Sequence, residues 1–217
     1  MQKVYHDGQP LRHRLTSHLL SFGAAAILAG TLTGGCLFPS QNYKPVTFYD
    51  ISLEANPPAS YRTRSTNIAL SQFQTVGPYG KRMVYRKTEH RLVQDEYNRW
   101  IQPPEDLARQ AFYNALTDSK MFTTVILGTN TKTDYILTAD ILRWETTPDL
   151  KASLGISVQI MAADTRRIIF NRRYHHTRKL AEATPNAFAD AASETLSAII
   201  KDHLQDLDNS LLKKTQP

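Results

Sequence analysis

The sequence predicts an α+β domain, an antiparallel sheet with two helices packed on one face, set behind an N-terminal export segment. Three observations carry this. Period-two alternation of apolar and polar residues recurs in several runs separated by short turn-forming stretches. Two other stretches, opened by Pro103-Pro104 and by Thr184-Pro185, repeat apolar residues every three to four positions, the helical spacing. The N-terminal stretch instead joins a basic start, a short apolar run and the chain's single cysteine, the layout of a processed leader.

Residues 1–35 are expected to be a cleaved lipoprotein signal peptide. Lys3, Arg12 and Arg14 oppose only Asp7. The apolar run from Leu19 to Leu32 is rich in Gly and Ala and falls short of the ~20 apolar residues that span a bilayer. Leu32-Thr33-Gly34-Gly35-Cys36 reads as a lipobox: the two small residues let a peptidase approach the backbone, and Cys36 supplies the thiol to be acylated. It departs from the usual pattern in placing Thr33, not leucine, three residues before the cysteine. Two or three acyl chains anchor durably, because each buried methylene contributes about 0.8 kcal/mol and a single chain binds only marginally. Leu37 follows the cysteine where an Asp commonly retains lipoproteins of Gram-negative bacteria in the inner membrane. The expected location is therefore the outer membrane, lipid-anchored and facing the periplasm. Residues 36–45 form the lipidated tether, with Pro39 and Pro45 resisting regular structure.

The domain is expected to span 46–217. Val46 to Leu53 alternates as a first strand, which Asn56-Pro57-Pro58 ends. Asn67 to Phe73 is a second strand, Gly77-Pro78-Tyr79-Gly80 a loop, and Lys81 to Arg86 a short strand. Either Arg91-Leu92-Val93 or Tyr97 to Ile101 supplies the next pairing segment. Pro103-Pro104-Glu105-Asp106 starts a helix: proline loses nothing in the first turn, and the two acids face the positive end of the dipole. Leu107, Ala111, Phe112, Ala115 and Leu116 make its apolar face, which runs to about Ser119. Phe122 to Leu127 is β-rich. Three longer strands follow, Asp134 to Trp144, Ala152 to Met161 and Arg167 to Tyr174; their short connections imply an antiparallel meander. In the first of these, simple alternation sets Ile141 and Trp144 on opposite faces. Thr184-Pro185 opens a long helix with the stripe Phe188, Ala192, Leu196, Ile199, Ile200, Leu204 and Leu207, and the tail from Lys213 is polar.

The precursor carries a net charge of +6, and its basic residues are scattered apart from Arg166-Arg167 and Arg172-Arg173. A nucleic-acid surface needs clustering on one face, so no nucleic-acid partner is expected; anionic lipid or glycan suits the surplus better. One cysteine cannot form an internal disulfide, so the fold rests on its core. Roughly 180 residues remain after processing, enough for one such core.

Catalytic and cofactor patterns give little. Gly128 to Thr133 ends in Lys-Thr but lacks the glycine before the lysine that a phosphate nest requires, and reads as a hairpin turn. His175 and His176 are adjacent on a strand, so they face opposite sides and do not chelate one ion readily. There is no G-x-S-x-G; Ser153 and Ser193 read as structural, and Glu105-Asp106 as a helix start. No catalytic residue, metal or cofactor is expected beyond the covalent lipid on Cys36. Trp100 is expected in the core, pressed by Pro103 and Pro104, while Tyr79 and Tyr97 could equally line a contact. Any groove between helices and sheet is expected to be filled by the protein's own side chains. Arg172, Arg173, His175 and Arg178 cluster at one strand end and are the expected anion or partner contact.

Four segments together resemble the ABC-type transport auxiliary lipoprotein family, which includes the PqiC-like lipoproteins of MCE transport systems. They are Tyr49-Asp50-Ile51-Ser52-Leu53; Arg99-Trp100-Ile101-Gln102-Pro103-Pro104-Glu105-Asp106-Leu107; Asp134-Tyr135-Ile136-Leu137 leading to Ile141 and Trp144; and Val158 with Asp164-Thr165-Arg166 before the Ala-rich last helix. The resemblance covers 46–208. It implies a non-catalytic tether or docking subunit whose partners are an MCE-domain protein with its inner-membrane permease and ATPase, in a system moving lipids or hydrophobic molecules across the periplasm. It supplies no active-site residues. Self-association, a lipid carrier with its own pocket, and an envelope assembly or structural lipoprotein beside an outer-membrane β-barrel stay open on sequence alone.

Overall fold

The computed structural model describes residues 43–53 and 61–212. The expected signal peptide, the lipobox, most of the tether, the Asn56-Pro57-Pro58 break and the tail lie outside the described residues. Among the described residues nine strands form one sheet: β1 (Thr47–Tyr49), β2 (Arg64–Leu70), β3 (Gln74–Thr75), β4 (Arg82–Arg86), β5 (Leu92–Trp100), β6 (Phe122–Leu127), β7 (Tyr135–Thr146), β8 (Lys151–Ala162) and β9 (Ile168–Lys179). Two helices, α1 (Pro104–Ser119) and α2 (Pro185–Leu212), pack on it.

The expected antiparallel sheet is in fact mixed. β7, β8 and β9 do form the antiparallel meander, and β4 and β5 pair antiparallel. Along its other edge, however, β7 takes β2, β3 and β4 in succession, all parallel: Ile68 opposite Tyr135, Gln74 opposite Asp140, Tyr85 opposite Thr146. β6 lies parallel to β2, and β1 parallel to β5. Helix α1, between β5 and β6, supplies the long connection that lets β6 return beside β2 in the same direction. The 128–134 segment is accordingly not a hairpin turn. It carries the chain from β6 over the end of β2 to β7. Gly128 holds φ 92°, donates to the Leu70 carbonyl at 2.8 Å, and Asp134 accepts the Asn67 N–H at 2.7 Å.

A β-bulge at Leu142 corrects a second expectation. Register shifts between Ile141, opposite Ile156, and Arg143, opposite Gly155. The extra residue resets the alternation, so Leu137, Ala139, Ile141 and Trp144 all enter the core. Trp144 meets Trp100 edge-on at 5.9 Å between ring centres, and Trp100 meets Phe188 of α2 at 5.2 Å. Both tryptophans are buried, as expected for Trp100.

The helices follow their sequence signals. Pro104 occupies the first turn of α1 with Glu105 and Asp106, and Lys120 closes it in the left-handed region at φ 56°. Leu107, Ala108, Ala111, Phe112 and Leu116 face inward, and Phe112 packs edge-on against Phe73. The Thr184 hydroxyl accepts the Ala187 N–H at 3.2 Å, capping α2. The whole predicted stripe of α2, Phe188 to Leu207, is buried between helix and sheet. Among the described residues, no helix is long and apolar enough to cross a membrane.

Candidate functional site

Among the described residues β9 bonds to β8 alone, so its other side forms one long edge of the sheet. The Leu180 N–H donates to the Leu150 carbonyl, which fixes the phase of the ladder. Arg172, Tyr174, His176 and Arg178 therefore bond to β8, while Asn171, Arg173, His175, Thr177 and Lys179 direct their backbone N–H and C=O groups outward. Strand alternation also sorts the side chains. Phe170, Tyr174, His176 and Arg178 turn toward α2; Arg173 and His175 belong to the opposite side.

The four predicted contact residues are thus not one patch. Arg178 is tied to Glu194 of α2. His175 turns away from α2 and shares a hydrogen bond of 2.9 Å with Ser153. Arg172, on the α2 side, and the edge residue Arg173, whose side chain alternates to the other side, both border a cleft of about 440 Å³ with Tyr174, Asp202, Gln205, Asp206 and Asn209. The two carboxylates there already have partners: Tyr174 donates to Asp206 at 3.1 Å and His176 lies 2.9 Å from Asp202. Among the described residues Arg172 and Arg173 form no ion pair, so their guanidinium groups, Arg172 on the cleft side and Arg173 on the other side of the strand, are free to meet an incoming acceptor along this edge. His175 and His176 do lie on opposite faces. Among the described residues no group of three or more His, Cys, Asp or Glu side chains is placed to hold a metal ion.

Sequence reasoning missed a buried polar centre on the sheet face opposite the helices. Glu145 is fully buried and accepts hydrogen bonds from Tyr79 Oη at 2.8 Å and from Arg86 Nε at 2.6 Å and Nη2 at 3.0 Å. Arg143 Nε stands 3.6 Å away. Burial, then the bond to Glu145, pushes the Tyr79 hydroxyl up to about 12, while the bond to Glu145 raises Arg86. The signal was faint: an alternating strand with Glu in its last turn gives no hint of burial until the Gly77–Gly80 loop brings Tyr79 over it. Next to this centre, across Gly155, sits the Ser153–His175 pair. Burial and the Arg143 charge lower the His175 pKa. Ser153 is wholly buried, so its hydroxyl cannot reach a substrate, and the pair serves as a cross-strand bond. Tyr79 is a structural residue; Tyr97 stays at the surface. Cys36 and the flanking Leu32, Thr33, Gly34 and Gly35 lie outside the described residues.

Among solved structures, a Xanthomonas campestris protein described by the family model DUF330 superposes with a TM-score of 0.71 at 18% identity, covering 79% of this chain and all of its own. A second structure, described only as an uncharacterized protein, gives 0.62 at 10% identity over 76% of this chain and 99% of its own. At these identities the likeness is one of fold. No curated protein matches in sequence. The family model of the ABC-type transport auxiliary lipoprotein component matches residues 79–202, more than half of the chain, from the loop over Glu145 through β9 and into α2. The chain belongs to the ABC-type transport auxiliary lipoprotein family.

Proposed function

We propose that this protein is the outer-membrane lipoprotein of an MCE-type ABC transport system that moves lipids or other hydrophobic molecules across the periplasm, and that it acts without catalysis as a tether and docking subunit. The observation that carries the reading is the family match over 79–202, which includes all of β9 and, of the cleft, Arg172, Arg173, Tyr174 and Asp202. The acylated Cys36 fixes the protein in its membrane. Arg172 and Arg173, with the outward backbone of β9, offer charge-assisted and ladder hydrogen bonds to an acidic, extended segment of the MCE protein. The cationic edge also discourages pairing with apolar strands, since Lys and Arg blunt open edges.

The test is native purification of the tagged, acylated protein from mildly solubilised membranes, with mass spectrometry of proteins and lipids. Recovery of an MCE-domain protein with its permease and ATPase is expected, reduced about tenfold or more by Arg172→Glu with Arg173→Glu. Recovery of a β-barrel, or of stoichiometric lipid without an MCE component, would overturn the tether in favour of an assembly or carrier role.

A further inference from the structure

The opposite edge of the sheet carries a second surface. β1 pairs parallel with β5, placing Phe48 opposite Arg99, and Tyr49 opposite Trp100. Trp100 points to the helices, where it meets Phe188. Phe48 and Arg99 therefore share the sheet face away from the helices, and Tyr97 sits beside them in the β5 bulge between Gln94 and Arg99. Phe48 is 56% exposed, Ile101 48% and Tyr97 36%. Lys44 holds its ammonium 4.7 Å from the centre of the Tyr97 ring, and Arg82 sits opposite Arg99 on the next strand. Three exposed apolar side chains interleaved with three cations make the chemistry of a lipid–water interface: rings at headgroup depth, basic groups on anionic phosphates.

Chain length selects the occupant. Lys44 begins only eight residues after Cys36, so even a fully extended tether keeps this corner within roughly 30 Å of the acylated residue. The sheet order runs β1-β5-β4-β7-β8-β9 from this corner to the open edge, about 24 Å at the usual strand spacing. We infer that the Lys44–Phe48–Tyr97–Ile101 corner rests on the anionic surface of the bilayer that holds the lipid anchor, turning the β9 edge away from the membrane toward its partner. This rests on the acylation of Cys36.

The test uses the full, acylated protein reconstituted into vesicles of equal parts phosphatidylcholine and phosphatidylglycerol, with a diazirine-bearing phosphatidylglycerol as photoprobe. Peptide mapping is expected to find cross-links on 44–49 and 97–101 and none on 168–179. Phe48→Ser with Tyr97→Ser and Ile101→Ser should reduce them about tenfold, and pure phosphatidylcholine should weaken contact. If the triple variant does not fold, the wild-type map decides. An acylated protein cross-linked elsewhere or nowhere overturns this surface alone. Protection of the corner that grows only with protein concentration also overturns it, in favour of a contact between copies. Absence of acyl mass on Cys36 overturns the anchor reading, and this inference with it.

Discussion

Glu145 is the residue at which local structure and stability are most tightly joined. It is wholly buried, and Arg86, bonded to it twice, is only 20% exposed at its side chain. Removing one member of such a pair strands the other's charge at a cost of about 3–5 kcal/mol; partial exposure of Arg86 sets Glu145→Ala toward the lower end, about 3 kcal/mol. Tyr79 loses its acceptor in the same step. With a urea m-value of about 2 kcal/mol/M, the unfolding midpoint should fall by about 1.5 M at unchanged m. The assay is urea unfolding of the purified protein followed by tryptophan fluorescence, which reads Trp100 and Trp144, both buried in the core. A double variant, Glu145→Leu with Arg86→Met, should recover most of the loss, because a well-packed apolar pair replaces an ion pair at little net cost. A shift below about 0.5 M in Glu145→Ala, or a double variant as unstable as the two single losses combined, would refute the reasoning.

Three further outcomes follow from the same structure. His203 is fully buried among Phe112, Phe170 and Tyr174, with both ring nitrogens lacking a hydrogen-bond partner among the described residues, and burial pushes its pKa down to about 3. Between the free-imidazole value near 6.5 and about 3 the unfolded chain alone binds this proton, so stability falls as pH falls, by up to about 1.4 kcal/mol per pH unit; His203→Phe should flatten that slope in pH-dependent urea melts. Trp100→Ala should cost about 3–5 kcal/mol in the same melts through the cavity left between Trp144 and Phe188. Leu150 holds φ 56° in the β7–β8 turn and is exposed, so Leu150→Asn should raise stability by roughly 0.5–1 kcal/mol by relieving left-handed strain.

The sequence alone determined the elements whose causes are local. Pro104 with Glu105 and Asp106, and the Thr184 cap, start helices wherever they stand in a chain. The meander of β7, β8 and β9 was legible because short turns leave two strands no other partner. The stripe from Phe188 to Leu207 was legible because helical spacing forces those side chains to one face. What only the tertiary structure decided depends on residues far apart in the chain. The direction of pairing along β7 depends on where α1 returns the chain, so the parallel partners β2, β3 and β4 left no local mark. The bulge at Leu142 inverts the alternation midway, and with it the fate of Trp144. Glu145 and His203 carry no local mark of burial; Tyr79, Arg86 and three aromatic rings arrive from distant segments to enclose them. The cluster Arg172, Arg173, His175 and Arg178 was contiguous in sequence and was divided in space by the pleat and by α2, leaving two arginines bordering the cleft, one histidine on the far face and one arginine bound to Glu194. Burial is a property of the assembled neighbours of a residue, not of the residue, and that is why the elements were readable and the polar centre was not.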